Sequence, residues 1–138
     1  MRKFLFLSIL FVTNLVFAQT SFQGGIYNNT TWTLANSPYN ITGNVVIFPG
    51  KTLTIEPGVQ VIVDADNTFN TGNYISIEVR GSLVAQGSVN APIVFTSSDA
   101  STNQNWMGIY VKKTQGATIE MNRFILTNAF YGIYADDA

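Results

Sequence analysis

Few residues in this chain can do chemistry. Its 138 residues include no cysteine and no histidine. That removes thiol nucleophiles, disulfides, thiolate zinc sites and any mechanism with an imidazole base. Carboxylates, a few cations and many aromatics remain. Glu56, Glu78 and Arg80 are the ionic groups most able to act together. On one face of neighbouring strands, two carboxylates can form the acid–base pair that cleaves glycosides. An ordinary solvated face is the simpler expectation, because a catalytic pair needs a cleft. Glu56 and Arg80 would then form a cross-strand ion pair worth under about 1 kcal/mol. Asp64, Asp66, Asn67, Asn70 and Asn73 offer oxygen ligands of the type calcium takes. Their spacing is not that of a calcium loop: Thr68 falls at the fifth place and no glycine at the sixth. A polar turn is expected there. No catalytic residue, metal or cofactor is assigned.

The aromatic residues are more distinctive. Trp106, Tyr110, Phe130 and Tyr134 are expected to point outward in two neighbouring columns, with Gly108 and Gly132 between them. Flat rings beside polar groups suit sugars, whose C–H faces are apolar and whose hydroxyls need partners. Asn103, Gln104 and Asn105 adjoin and could supply those partners. Stacked aromatics also stabilise a sheet by up to about 1 kcal/mol per pair with no ligand present. The residues alone favour that structural role; carbohydrate is the ligand they would take if they bind one. A Thr-x-Thr array of the ice-binding kind is set aside, since Thr52-Leu53-Thr54 becomes Ser76-Ile77-Glu78 in the expected next repeat.

Elements must position these groups, and the first element is an address. Arg2 and Lys3 precede an apolar run from Phe4 to Phe17, and Val16-Phe17-Ala18 places small residues at −3 and −1. This order marks residues 1–18 as a secretory signal cleaved before Gln19. The run is shorter than the roughly 20 residues that span a bilayer. No later stretch is long enough, and no cysteine follows for a lipid anchor. The expected location is extracellular or at the cell surface. Cleavage leaves five basic against eight acidic residues, near −3. A mildly acidic chain has no basic surface to recruit nucleic acid.

Residues 19–43 read as a lead-in or cap, rich in Thr, Asn, Ser and Gly. From residue 44 to 138, short alternating apolar runs are separated by Gly, Pro and Asn, the signature of strands. No stretch keeps a helical period. The expected class is all-β. A shift of 24 residues places Leu53 on Ile77 and Ile55 on Val79. The same shift repeats Gly108-Ile109-Tyr110 as Gly132-Ile133-Tyr134. Between Ile77 and Met107 the step is 30, with the extra residues assigned to the polar stretch Ser97–Asn105. Such a period predicts a solenoid of about three to four coils. Leu53, Ile77, Met107 and Tyr131 would share one inward column, and Ile55, Val79, Ile109 and Ile133 the next.

Gly50-Lys51-Thr52-Leu53-Thr54-Ile55-Glu56-Pro57-Gly58-Val59 carries a family likeness. So do Val79-Arg80-Gly81-Ser82-Leu83-Val84-Ala85-Gln86-Gly87, Ala91-Pro92-Ile93-Val94-Phe95-Thr96-Ser97 and Trp106-Met107-Gly108-Ile109. Over about residues 40–135 the chain resembles right-handed parallel β-helix proteins of the pectin-lyase-like superfamily. It is most similar to the opening coils of secreted Bacteroidetes-type surface proteins. The resemblance implies the fold and says little of activity, because this fold hosts lyases, hydrolases and adhesins. The expected function is a secreted non-catalytic module for extracellular or cell-surface interaction, toward polysaccharide or another surface protein. The alternatives are the N-terminal part of a polysaccharide lyase or glycoside hydrolase whose active site lies beyond Ala138, and a structural stalk. The repeat runs to the last residues with no capping segment. An incomplete solenoid, or one with an end-to-end partner on its C-terminal coil, is therefore expected.

Overall fold

A computed structural model describes residues 18–65, 74–101 and 104–136. The expected signal segment, apart from Ala18, lies outside these residues, as do Asp66, Asn67, Asn70, Asn73 and Asn103. Each short alternating run becomes a strand, because every second side chain faces the core and its neighbours face water. Twelve strands follow in order: β1 (Thr20–Ile26), β2 (Thr30–Trp32), β3 (Tyr39–Ile47), β4 (Thr52–Ile55), β5 (Gln60–Val63) and β6 (Ser76–Val79); then β7 (Ser82–Gln86), β8 (Ile93–Ser97), β9 (Gly108–Val111), β10 (Thr118–Asn122), β11 (Phe124–Leu126) and β12 (Ile133–Ala135).

All strand pairs among the described residues are parallel, and they stack into three sides. Side one is β2, β4, β7 and β10. Side two runs from the first half of β3 through β5 and β8 to β11. Side three runs from the second half of β3 through β6 and β9 to β12. β1 lies on β3 and spans both of these sides. This is an all-β parallel β-helix, as the sequence predicts. The segment expected as a lead-in contains β1, β2 and the start of β3.

The core is a set of inward columns. Leu53, Leu83 and Ile119 form one on side one; Tyr39, Val61, Phe95 and Leu126 form one on side two. Val45, Ile77, Ile109 and Ile133 form one on side three. A fully buried Leu, Ile or Phe in such a column contributes about 1.5–3 kcal/mol. Corners are tight: a Cβ on Gly81 would run into the backbone oxygens of Lys51 and Phe48. The N-terminal end is filled by aromatic rings. Trp32 stacks on Tyr39 at 4.8 Å and meets Phe22 edge-on at 5.7 Å.

The register corrects part of the predicted repeat. Leu53 faces Leu83, 30 residues on, and not Ile77. Ile77 faces Val45 and Ile109, each 32 residues away. All three sides carry the same alternating pattern, so a match by pattern placed β4 on a strand of a different side. The 24-residue step does hold from β9 to β12, where Ile109 faces Ile133 and Tyr110 faces Tyr134.

Candidate functional site

The outward face of side three gathers most of the reactive side chains. Val46, Glu78, Tyr110 and Tyr134 occupy one column by register. Phe48, Arg80, Lys112 and Asp136 follow in the next, since the amides of Arg80, Lys112 and Asp136 bond back to Ile47, Val79 and Val111. Tyr110 and Tyr134 stack face to face, 4.7 Å apart and 4° from parallel. Their faces therefore cover each other and leave their edges outward. Lys112 places Nζ 4.6 Å from the Tyr110 ring centre and donates to its hydroxyl at 3.1 Å. That hydrogen bond holds the Lys112 pKa above its ordinary value. Lys112 also lies 3.9 Å from Asp136. Thr114 donates to Asp136 at 2.7 Å, the main reason the Asp136 carboxyl sits below its usual range. Burial pushes the Tyr134 hydroxyl up, with Tyr110 and Glu78 adding to the shift.

Trp106 is not on this face. It is fully buried at 0% exposure, and its Nε1 donates to the carbonyl of Thr127 at 3.0 Å. The reason lies two residues on. Gly108 has φ +111° and a Cβ there would strike the Gly132 backbone oxygen. That turn reverses the alternation expected from β9, so Trp106 goes inward. Asn105 is buried with it and donates from Nδ2 to the Asp99 carbonyl. It supports the loop and is not a surface ligand group. Gln104 is exposed.

Phe130 does face outward, at 41% exposure, and so does Tyr131 at 59%. Tyr131 was expected inward. Gly132, at φ +73°, breaks the alternation there as Gly108 does one coil earlier, and that glycine was the available signal. Phe130 and Tyr131 meet edge-on at 4.6 Å, and Tyr131 lies 5.1 Å from Tyr134. The aromatic group on the surface is thus Tyr110, Phe130, Tyr131 and Tyr134, with Tyr74 at its margin 6.0 Å from Phe130.

The expected Glu56–Arg80 ion pair does not form. Arg80 Nε bonds Glu78 Oε1 at 2.7 Å, and Glu56 Oε2 accepts from the Leu34 amide at 2.8 Å. Glu56 lies at the corner after side one and Glu78 on side three, so these carboxylates do not face one another. Among the described residues no group of three or more metal-ligating side chains converges. A cavity of about 290 Å³ at the corner between sides one and two is lined by Leu34, Ser37, Pro38, Gly58 and Gln60. None of the aromatic or ionic residues of side three lines it. No helix among the described residues is long and apolar enough to cross a membrane.

Parallel three-sided coils with an uninterrupted inward core define a β-helix domain. The chain belongs to the pectate-lyase-like beta helix domain family, which it matches over residues 24–124. It is similar to Protein bark beetle of Drosophila melanogaster, with 33% identity over 95 residues. That match covers 68% of this chain and 3% of the relative, so the chain spans a small fraction of that protein's length. No solved structure matches.

Proposed function

We propose that the chain is a secreted, non-catalytic β-helix module of a Bacteroidetes-type surface protein that holds carbohydrate on the outer face of side three. The observation that carries this reading is the pairing of exposed aromatic surface with polar groups. Phe130 and Tyr131 are exposed, and the Tyr134, Lys112 and Asp136 side chains lie beside them. A sugar's apolar C–H face would rest on Tyr131, and its hydroxyls would exchange hydrogen bonds with Tyr134, Lys112 and Asp136. The stacked strands hold these groups rigid, so little ordering entropy is lost when a glycan docks.

The test is glycan affinity of the secreted chain and of Tyr131→Ala and Phe130→Ala, read beside their melting curves. Lost affinity with an unchanged melting curve supports the reading; lost stability alone assigns these rings to the scaffold. Polysaccharide cleavage by the chain itself would overturn the non-catalytic part. The second reading is the N-terminal part of a polysaccharide lyase or hydrolase with its active site beyond Ala138. The family likeness favours it, and cleavage confined to a longer polypeptide would support it.

A further inference from the structure

The two ends of the solenoid are built differently. At the N-terminal end Ile26 and Trp32 stay buried, at 3% and 2% exposure, under the aromatic rings of that coil. The β1 edge is also irregular, with a register shift between Phe22 and Gly24. Bulges of this kind spoil an edge for further pairing.

The C-terminal coil has neither device. β10, β11 and β12 are each the last strand of their side. Ile119, Met121, Phe124 and Leu126 are only half-buried, and Ile133 is 38% exposed, although their column mates Leu83, Ala85, Ile93, Phe95 and Ile109 are fully covered. The backbone points the same way. Thr118 and Asn122 bond to the β7 side, Arg123 and Thr127 to the β8 side, and Asp136 to β9. In a parallel ladder the alternate residues then aim their amides at the open edge. Those alternate residues are Ile119, Met121, Phe124, Leu126 and Ile133.

We infer that this coil is a docking end for a second copy of the chain, joined C-terminal end to C-terminal end about a two-fold axis. The sealed, bulged N-terminal end disfavours head-to-tail stacking, which would otherwise give an open filament. A two-fold contact brings two identical regular edges together, with their strands antiparallel, and covers both exposed core ends at once. Charge permits it: Lys113 and Arg123 flank this end against Glu120 and Asp136, so two copies present balanced charge to each other. This inference does not rest on the glycan reading.

Light scattering coupled to size exclusion, over a concentration series of the secreted chain, tests it. A concentration-dependent doubling of mass is expected, with slowed hydrogen exchange at Ile119, Met121, Phe124, Leu126 and Ile133. Met121→Pro removes an outward amide without touching a bond to β7, and Ile133→Lys places a charge on the exposed core end; each should return the chain to monomer. If Met121→Pro does not fold, Ile133→Lys and the exchange pattern decide. A monomer at every concentration, an open-ended series of oligomers, or slow exchange at those five amides in a monomer would each overturn the inference.

Discussion

Replacing Trp106 with alanine separates a core role from a surface role. The ring is fully buried and its Nε1 holds the Thr127 carbonyl at 3.0 Å. Truncating a buried Trp costs about 3–5 kcal/mol through lost transfer energy and the cavity left behind. Leaving the Thr127 carbonyl without its donor adds about 1 kcal/mol where water cannot replace it. The loss is a large part of the roughly 5–15 kcal/mol that holds a domain of this size. At about 3–5 °C per kcal/mol for a chain of this length, Tm should fall by roughly 10–20 °C. Urea and thermal melts followed by circular dichroism, with wild type alongside, measure it. A loss below about 1 kcal/mol, or tryptophan emission readily quenched by acrylamide, would refute the buried placement. Trp32 is also buried, at 2% exposure, so both tryptophans should resist quencher.

Gly108→Ala should destabilise the chain by about 1–3 kcal/mol, because it forces a side chain into a left-handed backbone conformation against Gly132; urea midpoints read this. Glu78→Gln breaks the pair with Arg80 and should cost only about 0.2–1 kcal/mol, since the Arg80 side chain is a third exposed. The pH profile of stability has two limbs. The Asp136 pKa is lowered by Thr114, so its contribution is present above the unfolded Asp pKa and is lost as pH falls through the folded value. The Lys112 pKa is raised by Tyr110, so its contribution is present below the unfolded Lys pKa and is lost as pH rises through the folded value. Asp136→Asn should shrink the acid limb, and Lys112→Met the alkaline one, in denaturant midpoints taken across pH.

Part of this architecture was legible in the residues. Period-two alternation marked the strands from Val45 to Tyr134, because a half-buried strand requires it. The stacking of Tyr110 on Tyr134 was legible too, since β9 and β12 lie one short coil apart and keep the same Gly-Ile-Tyr order. β1 was not, because the irregular step between Phe22 and Gly24 interrupts its alternation. The site was only half legible. Tyr110, Phe130 and Tyr134 come together as expected, but Trp106 and Tyr131 exchange roles.

By itself the sequence determined that this chain builds parallel coils around a continuous apolar core, and that cysteine and histidine chemistry is closed to it. Tertiary structure alone decided which strand lies on which. Three sides with one shared pattern leave the register to corner lengths and to packing between coils. It also decided which rings meet solvent. At Gly108 and Gly132 a left-handed backbone reverses the phase of the alternation. A rule that counts every second residue cannot see that reversal, and the fold imposes it through the close approach of one coil to the next.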